Sequence, residues 1–227
     1  MLDRFYNIRF ELFLFSQVAI LFGSLIMPQQ PFDRFIAPLL LMLNLLTGLV
    51  LVSKKGRYFW FFVLLLLISS GLFGVDSLFE VDSANLKIVR IGCYFVFYTL
   101  VALEIIRQVW VAKQVNKNVI YGLVSGYISL GLIGCFIFVL IEWLNPGSFQ
   151  GDMMVEAISN GRELIEPLMY FSYITLMTVG YGDMLPATAL AQKAVILVGL
   201  MGQFYLVIIT AVVVGKYIST EKRIESE

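Results

Sequence analysis

Long apolar runs separated by short charged segments dominate this chain. A helix crossing the hydrocarbon of a bilayer needs about 20 mostly apolar residues. Five stretches come close to that length: 12–27, 35–52, 58–75, 119–141 and 194–215. A sixth, 88–112, is interrupted by Arg90, Glu104 and Arg107, and one further run, 168–177, is too short to span. The charges between the runs order them. With the N-terminus in the cytoplasm and six crossings, Lys54, Lys55, Arg57, Lys113, Lys117, Lys216, Lys222 and Arg223 all fall inside. Asp76, Glu80, Asp82, Asp152, Glu156, Glu163 and Glu166 then fall outside. That is the asymmetry membrane insertion imposes, and dropping the 88–112 run would place Lys113 on the acidic side. The expected fold is an all-α membrane protein with six transmembrane helices and a short re-entrant helix between the last two. Both termini are expected in the cytoplasm, with the chain a multi-pass protein of the cell membrane surrounded by lipid.

Composition agrees with this pattern. Of 227 residues 59% are hydrophobic and 14% charged, with a mean hydropathy of +0.87, whereas soluble domains are about half apolar and about a quarter charged. A net charge of zero gives no basic surface for nucleic acid. Histidine is absent, which removes the commonest metal ligand and general base. The acids are scattered, so neither an enzyme nor an organic cofactor is expected. Cys93 and Cys135 sit inside apolar runs and read as buried free thiols, not as a disulfide framework. The start of the chain, with Asp3, Arg4, Arg9 and Glu11, lacks the pattern of a cleaved signal peptide. Two units are expected, a four-helix unit at 1–112 and a helix–loop–helix unit at 119–227, joined by an interfacial linker at 113–118. Val111, Val115 and Val119 recur at four-residue spacing, with Lys113 and Lys117 on another face. That suits either a short amphipathic helix on the inner membrane surface or a plain connector.

The most specific chemistry lies between the last two long runs, where the chain reads Glu166-Pro167, then 168–177, then Thr178-Val179-Gly180-Tyr181-Gly182-Asp183. Proline favours a helix start, and a helix of about ten residues reaches only about 15 Å. It must therefore stop in mid-membrane. Non-helical backbone is tolerated at that depth only where it is buried or lines water, and carbonyls facing an ion meet that condition. Turning successive carbonyls to one side needs backbone angles that Gly180 and Gly182 reach without a Cβ penalty. The C-terminus of the short helix carries about half a negative charge, which favours a cation beyond it.

This segment resembles the filter of potassium channels, in which four TVGYG loops surround the ion. The resemblance covers the pore half and extends to Pro186, three residues past Asp183, and to Gly202, nineteen past it. Family members often place a gating glycine at the latter position. Glu142 matches an acidic residue that braces the filter mouth in related channels. The resemblance implies K+ held at Thr178, Val179, Gly180 and Tyr181, with Gly182 and Asp183 completing the filter. It also implies Gly202 as gating hinge and Glu142 as filter-mouth support. From the residues alone, Gly202 equally suits close helix packing, and Glu142 suits an interfacial carboxylate facing water. One chain supplies a quarter of such a filter, so closed symmetry implies a homotetramer.

The six-helix plan looks like the voltage-gated branch, yet the sensor charges are missing. Stepping by three from Arg90 gives Cys93, Val96, Thr99, Ala102 and Ile105, none charged. Little or no voltage dependence is therefore expected, with Arg90 staying at the outer surface. Glu104 and Arg107, three apart, are expected to pair near the inner interface. The inner helix lacks the proline that some relatives carry where this chain has Ile209, Thr210 and Ala211. Phe171, Ile174 and Met177 also depart from the family around the filter.

Overall fold

The computed structural model describes residues 8–26, 32–53, 56–79, 84–112 and 115–225. The loop charges Lys54, Lys55, Glu80, Asp82 and Lys113 lie outside them. The elements are α1 (Arg9–Phe22), α2 (Ala37–Val52, entered through a π-helical turn at Phe32–Ile36), α3 (Gly56–Phe79), α4 (Ala84–Val111) and α5 (Lys117–Leu144). After α5 come β1 (Phe149–Gln150), α6 (Asp152–Ser159), α7 (Ile165–Leu176), β2 (Leu185–Pro186) and α8 (Ala189–Phe204). A second π-helical turn, Tyr205–Ile209, leads into α9 (Thr210–Glu225). Among the described residues three helical segments are long and apolar enough to cross a membrane: Asn85–Val111, Lys117–Leu144 and Ala189–Lys216. Ala37–Val52 and Phe59–Gly74 are apolar but shorter. The run broken by charges, 88–112, thus gives one of the three long helices, because its charged residues fall near the two ends and leave the middle apolar.

α5 is the central post, packing against α1, α4, α7 and α8. Its small and aliphatic residues from Leu130 to Cys135 are all buried, while Tyr94 and Tyr98 of α4 stack on its Phe136. Polar residues within the apolar interior tie the helices together, as interhelical hydrogen bonds do where water is absent. Gln17 of α1 donates to Ser129 Oγ on α5 at 2.8 Å, and Asn44 of α2 donates to Ser16 Oγ at 2.6 Å.

At the end away from the TVGYGD segment, α4 stops at Val111 and α5 starts at Lys117. The Asn116 side chain caps α5 by accepting from Val119 N at 3.1 Å. The described part of the expected 113–118 linker is therefore coil up to Asn116, and Lys117 and Asn118 belong to α5. Glu104 and Arg107 pair at 3.6 Å. Gln108 extends that cluster, donating to Glu104 at 2.8 Å and accepting from Arg9 of α1 at 3.1 Å. Lys216 of α9 donates to the carbonyls of Val109 (3.2 Å), Ala112 (2.9 Å) and Trp110. These are carbonyls that a helix C-terminus leaves unsatisfied.

Candidate functional site

α7 begins at Ile165, so Pro167 is its third residue, still in the first turn where a missing N–H is harmless. Its 12 residues reach about 18 Å. Hydroxyls fasten it to α5: Ser172 donates to the Gly131 carbonyl and Tyr173 to that of Ile128, each at 2.7 Å. Gly131 is required there, since a Cβ would stand 2.1 Å from the Tyr173 ring.

The TVGYGD segment leaves the end of α7 with alternating backbone handedness. Thr178, Gly180 and Gly182 have φ of 58°, 55° and 81°, while Val179 and Tyr181 between them do not take positive φ. Such alternation turns successive carbonyls toward the same side. Thr178 is the one non-glycine residue with positive φ among those described, a conformation costing about 1–3 kcal/mol that persists only where the surroundings enforce it. Here the N–H groups enforce it by pointing back into α7. Thr178 N donates to the Thr175 carbonyl (3.0 Å), and Val179 N and Gly180 N both donate to that of Ile174 (2.8 and 3.3 Å). The Thr178 hydroxyl also accepts from Gln203 Nε2 of α8 at 3.3 Å.

At the far end of the TVGYGD segment, Tyr170 of α7 donates its hydroxyl to Asp183 at 2.6 Å. That bond pushes the tyrosine up to about 12. The chain then pairs in β2 with β1, Gln150 opposite Leu185 and Phe149 opposite Pro186. Glu142 is 3% exposed, so it does not face water. Its carboxylate accepts from Gly147 N (2.7 Å) and Phe149 N (2.9 Å), holding the turn that presents β1 to β2. Through that strand pair it is connected to the segment following Asp183.

Gly202 lies within the regular part of α8, pressed against the end of α7. A Cβ there would stand 2.2 Å from the Leu176 carbonyl oxygen. The irregularity of the last long helix is instead the π-helical turn at Tyr205–Ile209, which ends at the start of the 209–211 stretch where some relatives carry a proline. Tyr205 anchors the turn by donating to the Leu123 carbonyl of α5 at 2.6 Å. Phe171 and Ile174 are buried behind the filter, and Met177 is exposed.

The charged residues near α7 are arranged differently from expectation. Glu163 pairs with Lys87 of α4 at 3.3 Å, and Arg162 pairs with Glu156 at 3.6 Å. Arg90, expected at the outer edge of the membrane, is 8% exposed and lines a cavity between α4 and α7. Sequence reading missed Tyr170, Gln203, Tyr205 and Lys216. The available signal was a polar side chain set in or beside an apolar run, without any sign of its distant partner.

Residues 126–219 match the model of a family described as an ion channel. The match takes in most of α5, then α7, the TVGYGD segment, α8 and the greater part of α9. No curated protein and no solved structure matches the chain.

Proposed function

We propose that this chain is one subunit of a homotetrameric, potassium-selective channel of the cell membrane, conducting K+ passively with little voltage dependence. The observation that carries the reading is the alternating backbone of Thr178, Gly180 and Gly182, with the N–H groups of Thr178, Val179 and Gly180 bonded back into α7. Four such strands around an axis present rings of carbonyls able to replace the hydration shell of the ion. Assembly is supported by the last long helix, only 22% buried within the subunit against 72% for Lys117–Leu144. Its Leu200, Phe204 and Val207 are exposed, an apolar face suited to lipid or to neighbouring subunits. The distribution of lysine and arginine puts the filter end outside and both termini in the cytoplasm.

Voltage has little to act on. Lys87 and Arg90 lie at the filter end of α4, Arg107 lies at the other, and no charge lies between Arg90 and Glu104. A full crossing yields about 2.3 kcal/mol per charge per 100 mV, and working sensors move three or four charges per subunit. The test is recording from the purified protein in bilayers. Reversal potentials should follow the potassium gradient, and open probability should stay nearly flat across voltage, equally in Arg90→Gln. Gly180→Ala should abolish selectivity or current, since its φ of 55° is a left-handed conformation that costs a side-chain-bearing residue about 1–2 kcal/mol. Equal permeability to sodium in the wild type would refute the selectivity. A steep wild-type voltage curve that flattens in Arg90→Gln would refute the gating claim.

A further inference from the structure

We propose that the cavity between the four-helix unit and α7 is a binding site for an amphiphile with an anionic head and one acyl chain. The cavity measures about 530 Å³, inside the range of pre-formed ligand sites, about 300–1,000 Å³. Its rim holds Lys87, Arg90 and Arg162 against Glu163 and Glu166, three positive charges and two negative, so the rim carries net +1. These cations already have partners within the protein, Lys87 with Glu163 and Arg162 with Glu156 among them. A guanidinium has five donors and an ammonium three, so a bound head can share them.

Deeper in, the lining turns apolar: Ile91 on α4, Leu132 and Phe136 on α5, Leu41 on α2. Leu132 lies twelve residues before the end of α5 at Leu144, about 18 Å along the helix. Polar groups at the filter end and apolar groups toward the middle reproduce the profile of a bilayer leaflet. Acyl amphiphiles already lie in that orientation around a membrane protein. One polar group sits among the apolar lining. Tyr94, a lining residue, is 1% exposed, and its hydroxyl is buried without a hydrogen-bond partner among the described residues. A buried hydroxyl left unmatched is unfavourable, and an anionic head drawn in beside Arg90, one helical turn away, supplies the acceptor. This inference concerns the flank of the pore and stands whichever ion the filter passes.

The experiment uses full-length protein in nanodiscs of neutral phosphatidylcholine and a photoreactive laurate analogue, with labelled peptides mapped by mass spectrometry. Saturable labelling at Ile91, Leu132 or Phe136 is expected, competed by laurate and not by dodecanol, which has the chain without the charge. Tyr94→Phe removes the orphan hydroxyl alone and should raise the half-saturating concentration about tenfold, as the loss of a hydrogen bond to a charged group does. Lys87→Gln should weaken laurate and leave dodecanol unchanged. Adding phosphatidylglycerol identifies the source: suppressed labelling means that a membrane phospholipid chain takes the site, persistent labelling that a free fatty acid does, and either supports the proposal. Unsaturable labelling spread over exposed residues such as Trp60 and Leu67 would overturn it. So would equal competition by dodecanol, or an unchanged half-saturation in Tyr94→Phe.

Discussion

Gly202→Ala separates the two roles that a glycine in the inner helix can have. The added Cβ would stand 2.2 Å from the Leu176 carbonyl oxygen and 3.0 Å from its carbon, where ordinary contact begins at 3.4 Å. The obstacle is backbone, so no rotamer change relieves it. Either α8 retreats by about 1 Å or the end of α7 shifts, and overpacking of this kind costs about 1–3 kcal/mol. Leu176 is two residues before Thr178, so the strain falls on the base of the filter. At about 1.4 kcal/mol per tenfold, the native filter arrangement is disfavoured roughly 5- to 150-fold in each subunit. Gly199→Ala is the control: it lies on the same helix, gains the same helix propensity, and meets nothing within 4 Å. Single-channel recording in mixed potassium and sodium should show shorter bursts and a higher relative sodium permeability in Gly202→Ala, with Gly199→Ala like wild type. If Gly202→Ala instead keeps wild-type bursts and permeability ratio while its open probability shifts, the glycine is a hinge and the contact argument fails.

Three further outcomes follow from the supports of the site. Glu142→Gln keeps one acceptor for the N–H groups of Gly147 and Phe149, and leaving the buried Phe149 N–H unmatched costs about 1–3 kcal/mol; the purified protein should melt several degrees lower, and an unaltered melting temperature would contradict the bracing role. Lys216→Met leaves the last α4 carbonyls uncapped, worth up to about 1 kcal/mol; open probability should move about fivefold away from the state described above, and no movement would show that the contact is idle. Tyr170→Phe frees Asp183 and should shorten open bursts. In the wild type the tyrosine proton is held up to about 12, above the ordinary value of about 10, so its bond is intact below pH 10 and is lost only as pH rises toward 12. Burst durations that change between pH 8 and 10 through this residue would contradict the bond.

The unusual backbone at Gly180 and Gly182 was legible in the sequence because its cause is local. Two glycines at alternate positions after a short apolar helix specify the backbone angles, and the structure adds only that Thr178 joins the alternation. Helix positions were legible for the same reason, since an apolar run needs no distant partner to be recognised. What stayed hidden depends on separation along the chain. Tyr205 meets Leu123 across 82 residues and Lys216 meets Val109 across 107, and no periodicity records such pairs. Gly202 was ambiguous because a hinge and a close contact both ask for a residue without a side chain. Glu163 read as one of several outer-loop acids because its partner, Lys87, lies far back along the chain on α4.

Those long-range contacts also bear on where the inner helix can bend. Above the π-helical turn, Gly202 is pressed on the Leu176 carbonyl, and Tyr205 is tied to α5 at 2.6 Å. Below it, Lys216 is tied to the carbonyls ending α4. Between these anchors the one departure from α-helical bonding is Tyr205–Ile209, and π-bulges are among the few places where helices kink. Ile208 is exposed while Ile209 is buried, so a change of bonding register there redistributes side chains between the subunit interior and its surface. A chain without a proline in this helix thus carries its irregularity as a π-helical turn. That turn begins three residues past the glycine that the resemblance nominated, and the helix on either side of it is held by α7 and by the end of α4.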